Sequence, residues 1–164
     1  MKFFRSTMPL PPKPAPGHVL LAALGGFLAI TCLAFAADVS GAILMLGSFG
    51  ASCVLVFGFP ETPFAQPRNA VVGHFLSSLI GLCWLHFAGP QWWSMAMAVA
   101  TAIAVMMSTR TVHPPAGSNP VIVFLAASKW SFLLFPTLFG ACLVTLVGIV
   151  YNRLLRRIDY PRYW

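Results

Sequence analysis

The chain has 164 residues, 59% of them hydrophobic and only 8% charged. A water-soluble domain carries about 25% charged residues, so this composition excludes an ordinary soluble enzyme or binding module and points to transmembrane helices. The net charge of +7 does not indicate nucleic acid. Lys2, Arg5 and Lys13 precede the first apolar run, and Arg153, Arg156, Arg157 and Arg162 follow the last, as cytoplasmic anchors of a bilayer protein do.

In chain order, residues 1–18 read as a Pro-rich cytoplasmic tail. Met1 to Pro16 holds five prolines and no apolar core, which argues against a cleaved signal. Six apolar segments follow, near Val19–Ala37, Gly41–Phe59, Ala70–Ala88, Gln91–Met107, His113–Ala127 and Ser131–Asn152. Most approach the ~20 residues that span a bilayer core. The fifth is short and opens on Pro114 and Pro115. Residues 156–164 read as a basic cytoplasmic tail. If all six segments cross from a cytoplasmic N-terminus, nine of the ten Lys and Arg residues lie inside and only Lys129 lies outside, as the positive-inside rule favours. A four-span arrangement with two re-entrant segments is the alternative. The expected location is a bacterial inner (plasma) membrane, with both termini cytoplasmic.

A shift of 67 residues superposes the two halves. Gly50 falls on Gly117, Val54 on Val121, Val56 on Val123, Phe57 on Phe124, Gly73 on Gly140, Leu76 on Leu143, Leu79 on Leu146 and Gly81 on Gly148. These are eight identities in 33 positions, where membrane composition gives about three by chance. The expected fold is therefore all-α, with two three-helix repeats over 19–88 and 89–155. Three spans is an odd number, so the copies must be inverted, as in secondary transporters whose substrate site lies where broken helices meet. Gly73, Ser77 and Gly81 recur every four residues and predict a close helix contact, with Gly140 and Gly148 on the paired helix.

The matching breaks are Gly47–Ser52 and Pro114–Asn119. A helix that starts at membrane depth offers free N–H groups and a positive dipole end, which suits a small anion. Ser48, Gly50, Ser52, His113, Gly117, Ser118 and Asn119 are the candidate lining residues, with Pro114 and Pro115 as helix breakers. Arg68 and Asn69, before the third segment, are further polar candidates. The plain alternative is that these small residues only permit tight helix packing. His74 and His86 read as packed or interfacial side chains. No acidic residue lies within a segment, which argues against a cation substrate and against carboxylate-based proton coupling. Cys32, Cys53, Cys83 and Cys142 all fall in apolar runs without metal or redox spacing. No cofactor, metal or enzyme motif is read.

The run Thr111-Val-His-Pro-Pro-Ala-Gly117 resembles the signature of the HPP family of integral membrane proteins. The stretches Gly47–Cys53 and Pro63–Asn69, with Gly73 and His74, are similar to that family's other motifs, and the resemblance covers Leu20 to Arg153. It implies a membrane transporter of a nitrite-like anion, in a family usually described with four spans. The expected function is transport or channel-like permeation of a small anion. The alternative is a non-transporting membrane subunit that senses or assembles with a partner. The expected partners are the lipid bilayer, the anion and further copies of the chain.

Overall fold

The computed structural model describes residues 9–164, and Met1–Met8 of the tail, with Lys2 and Arg5, lie outside the described residues. The described chain is helical throughout, with no strand. The first helix, α1 (Pro16–Ser40), opens with proline at its first position and closes on Gly41, whose φ of 66° needs a residue without a Cβ. It starts slightly before the expected 19.

Two short helices follow the breaks. The first is α2 (Gly47–Cys53), continued by a wider turn over Val54–Gly58 and preceded by a non-helical stretch, 41–46. The third helix, α3 (Pro67–Ala88), and the fourth, α4 (Trp92–Ser108), form a hairpin across Gly89. The second short helix, α5 (Asn119–Leu125), is preceded by a tight 3-10 turn, Pro114–Ser118. Proline at the start of that turn costs nothing, because its missing N–H would have had no helical partner. The sixth helix, α6 (Phe139–Val150), is the body of a helical run over Trp130–Leu155, which is kinked at Phe135, where φ is −129° and ψ 119°.

Three of these rods, Pro16–Ser40, Pro67–Ala88 and Trp130–Leu155, are long and apolar enough to cross a bilayer. The expectation that most segments approach span length holds for these three. It gives way at α4, with 17 residues, and at the two half-helices α2 and α5, with seven each.

Polar contacts fix the direction of every element. His18 Nε2, at the start of α1, lies 2.9 Å from the carbonyl of Gly58, so α2 runs back beside α1. Asn152 and Arg156, at the end of the α6 rod, donate to the carbonyls of Val56 and Phe57. Arg68, at the start of α3, donates to the carbonyls of Thr109 and Arg110 beyond α4. All of these ends share one basic face. At the opposite face Ser94 donates to the carbonyl of Trp84, and the rings of His86 and Trp130 pack 5.0 Å apart.

The core gathers Ala29 and Leu33 of α1, Phe49, Val56 and Phe57 of the α2 segment, and Ala141 and Val144 of α6. Glycine permits the closest approaches. A Cβ on Gly148 would collide with Val56, and one on Gly81 would sit 2.9 Å from Pro120 Cα and 3.4 Å from Val123 Cβ. These contacts exchange under the 67-residue shift, since 81 maps to 148 and 56 to 123. The expected pairing of the Gly73–Ser77–Gly81 stripe with Gly140 and Gly148 is therefore corrected. Each stripe packs against the half-helix of the other half: Ser77 donates to the carbonyl of Ala116 at 2.6 Å, and Gly140 receives the Phe49 ring.

The expected basic tail, 156–164, is docked rather than free. Tyr160 is fully buried and donates to the carbonyl of Ala65 at 2.7 Å. The backbone N–H of Arg162 donates to Gln66 Oε1. Burial pushes the Tyr160 hydroxyl above its ordinary range, so it stays a donor at neutral pH. Tyr160→Ala is expected to cost about 3–5 kcal/mol, as for other buried aromatics cut to alanine. Tyr160→Phe should cost only about 1 kcal/mol for the lost bond and its orphaned acceptor. Thermal denaturation in detergent checks both.

Candidate functional site

The two half-helices bring their first turns together. Between them lies a cleft of about 500 Å³ lined by Gly47, Ser48, Ala51, Val54, Leu55, Pro114, Pro115 and Ser118. Its position follows from the chain. Proline at 114 and 115 delays helix formation, so α5 begins on the buried Asn119, whereas α2 begins on the exposed Gly47. Ser48 is buried, and its Oγ has no hydrogen-bond partner. A buried hydroxyl without a partner costs about 1–3 kcal/mol, and the structure leaves that cost unmet at Ser48.

Behind the cleft is a polar row. His113 Nδ1 lies 2.6 Å from the carbonyl of Phe64. A carbonyl only accepts, so Nδ1 carries hydrogen and the neutral ring presents a bare Nε2. Ser52 Oγ is 2.8 Å from that Nε2 and donates to it. The same Oγ lies 3.0 Å from His74 Nε2, which then donates to it. His74 Nδ1 in turn accepts from Asn119 Nδ2 at 3.0 Å, and that amide also donates to Ser78 Oγ at 2.9 Å. Ser78 meets Thr137 of the α6 rod. His74, His113, Ser52 and Asn119 are all buried, and the two imidazole centroids are 5.0 Å apart. Asn119 Oδ1 has no partner.

The structure gathers most of the residues that the sequence singled out, and separates a few. Ser48, Pro114, Pro115 and Ser118 line the cleft, and Ser52, His113 and Asn119 form the row behind it. Ser118 Oγ is turned to the carbonyl of Pro115. Gly117 sits at the edge, with nothing within 4 Å of where a Cβ would stand. Gly50 lies on the other side of α2, in a separate hollow against Ala22, Ala23 and Gly26 of α1, so the two glycines do not share one cavity. Arg68 and Asn69 do not reach the cleft. Arg68 holds Thr109 and Arg110, and Asn69 Nδ2 donates to the carbonyl of Val112 at 2.9 Å, which fixes the loop that delivers His113.

The sequence reading passed over His74, Ser78 and Thr137 as site residues. A signal for the first two was available. His74 and Ser78 are four residues apart and lie one step along from the Gly73–Ser77–Gly81 stripe, so they share a helix face. Gly73 brings that face onto the loop, since a Cβ there would stand 2.9 Å from His113 Cβ.

The sequence pattern of the HPP transmembrane region matches residues 11–161. A transmembrane protein of Dictyostelium discoideum is 32% identical over 165 residues, which cover 95% of this chain and 58% of that protein. A second transmembrane protein of the same organism is 35% identical over 130 residues, covering 74% of this chain and 42% of that one. The chain thus spans about half the length of these relatives. No solved structure matches. A match over nearly the whole chain makes this integral membrane protein a member of the HPP transmembrane family.

Proposed function

We propose that the chain forms a transmembrane passage for a small anion, with nitrite as the best single substrate. The observation that carries this reading is the cleft between the first turns of the two half-helices, with Ser48, Pro114 and Ser118 in its lining. The α2 segment, Gly47–Gly58, directs its positive dipole end and first N–H groups there. No Asp, Glu, Lys or Arg lines the cleft, so a small solute meets neutral donors, which bind an anion without trapping it. A purely structural subunit has no use for an open cleft at that place.

In this reading all six segments cross, as two inverted repeats. The non-helical run 42–46, which ends on the extended Leu46, reaches at most about 17 Å at ~3.3 Å per residue. The helical run to Gly58 adds about 18 Å, and together they exceed the ~30 Å hydrocarbon core. The exchanged Gly81–Val123 and Gly148–Val56 contacts support an inverted two-fold relation. Both termini then face the cytoplasm of an inner membrane. Single cysteines at Lys13 and Arg162 should be labelled from one side, and those at Asp38 and Lys129 from the other. Labelling of Lys13 and Lys129 from the same side would remove the six-crossing topology. Pro114, Ala51 and Val54 leave the cleft open at the surface of the single chain, so a homo-oligomer, which would wall it from lipid, belongs to the same reading.

The test is solute flux into liposomes holding the purified chain, with nitrite, nitrate, formate and urea compared. Anion entry at least about tenfold above protein-free vesicles, with urea excluded, is expected. Flux of none of these solutes would favour the non-transporting subunit instead.

A further inference from the structure

We infer that His113, Ser52 and the Ser48 carbonyl form a one-proton switch, so that each anion passing the cleft moves together with a proton. This inference rests on the anion reading above. It goes further in naming the coupled ion and the atoms that hold it.

The geometry offers two fully bonded arrangements of the same groups. In the neutral one, Ser52 donates its single hydrogen to His113 Nε2 at 2.8 Å. Ser52 Oγ also lies 3.0 Å from the carbonyl of Ser48, a second acceptor that the hydroxyl can turn to. When a hydronium ion that reaches this group gives up its proton, an N–H bond forms at His113 Nε2 and water is left behind. The O–H···N bond from Ser52 breaks, and Ser52 donates to the Ser48 carbonyl instead. Nε2–H of His113 then donates to Ser52 Oγ, while Nδ1–H keeps the Phe64 carbonyl. Neither a ring nitrogen of His113 nor the Ser52 hydroxyl is orphaned in either state, and the only net change is one positive charge beside the first turn of α2.

His74 does not take the proton in this scheme. Its Nδ1 is occupied by the Asn119 amide, and its Nε2–H already donates to Ser52. A second imidazolium 5.0 Å from the first would be repelled. The elements packed around the pair bring no charge of their own. From α2 come Phe49, 5.2 Å from the His74 ring, and Cys53, which packs into the apolar core. From α3 and the α6 rod come Ser78 and Thr137, and from α4 comes Met106, near Gly73. With no carboxylate bonded to either ring, the counter-charge for a protonated His113 is the anion itself. Its place is the cleft, whose walls include Pro114, the next residue in the chain, and Ser48.

Two measurements on the full chain test this. Histidine-selective ¹⁵N NMR in lipid nanodiscs is expected to show His113 with hydrogen on Nδ1 at high pH and as imidazolium on acidification, while His74 stays neutral with hydrogen on Nε2. His113 with hydrogen on Nε2 alone, or His74 titrating first, overturns the switch, whatever the flux result. The second measurement loads proteoliposomes with a pH dye and drives them with nitrate, whose conjugate acid is too strong to carry protons passively, and with nitrite corrected for protein-free leak. One proton per anion is expected. Ser52→Ala should cut flux about tenfold and flatten its pH response, and Ser52→Thr should restore both. Anion entry without proton entry overturns the coupling and leaves the anion reading standing. Absence of any anion entry removes the anion reading and the coupling together, while the NMR still decides the switch.

Discussion

Leucine at Gly148 or at Gly81 is expected to destabilise the protein by at least about 3 kcal/mol, the upper end of ordinary overpacking costs. At Gly81 the added atoms meet Pro120 Cα, a backbone atom that cannot rotate away. At Gly148 they meet Val56, which is fully buried in the core. For a chain of this length that loss corresponds to a melting midpoint lower by about 6–12 °C, read by fluorescence-detected gel filtration after heating. The two substitutions should behave alike, because the two contacts are images of each other across the repeat. Leucine at Gly117 or Gly50 is the contrast. A Cβ at either position meets nothing within 4 Å, so the fold should survive. A parental melting curve for Gly81→Leu would show that the half-helix does not lie against α3 as described.

His113→Ala is expected to lower anion flux about 10- to 100-fold, a change of roughly 1.4–2.8 kcal/mol in barrier, and to flatten its pH response. The substitution removes the donor to the Phe64 carbonyl and the acceptor for Ser52. It should destabilise the fold by about 1–3 kcal/mol, the cost of orphaned buried groups, and the protein should still fold. From the sequence alone, His74→Ala is expected to matter less. The structure changes that expectation, because His74 donates to the same hydroxyl and is held by Asn119, so its loss should reduce flux by a similar factor. Well-folded His113→Ala protein that transports like the parent across pH would make this histidine structural.

The elements were legible in the sequence because apolar runs and proline breaks act locally. Pro16, Pro67 and Pro114 each sit at the start of a helical run, and Gly41 and Gly89 end two others with positive φ. The matching glycines were legible because close packing asks for the same small residue wherever a half-helix crosses close. Which helix each glycine meets was not legible. Spacing along α3 gives the face but not its partner, and residues 111–123 occupied the place expected for α6. The docking of Tyr160 was hidden for the same reason, since a basic end reads as an anchor until its one buried ring is placed. Arg68 looked like a site residue by charge, yet its guanidinium serves carbonyls left over at the end of α4. Charge in a sequence does not say which backbone groups need a donor.

Water and solute access to Ser48 tests the passage most directly. With Cys32, Cys53, Cys83 and Cys142 replaced by alanine, Ser48→Cys should react with a water-soluble thiol reagent in proteoliposomes. Reaction should stop flux, and nitrite should slow the labelling in proportion to its occupancy of the cleft. Ser48→Cys protein that carries nitrite at the parental rate but stays unlabelled, or is labelled at a rate nitrite does not change, would place the path of the anion elsewhere and contradict the account.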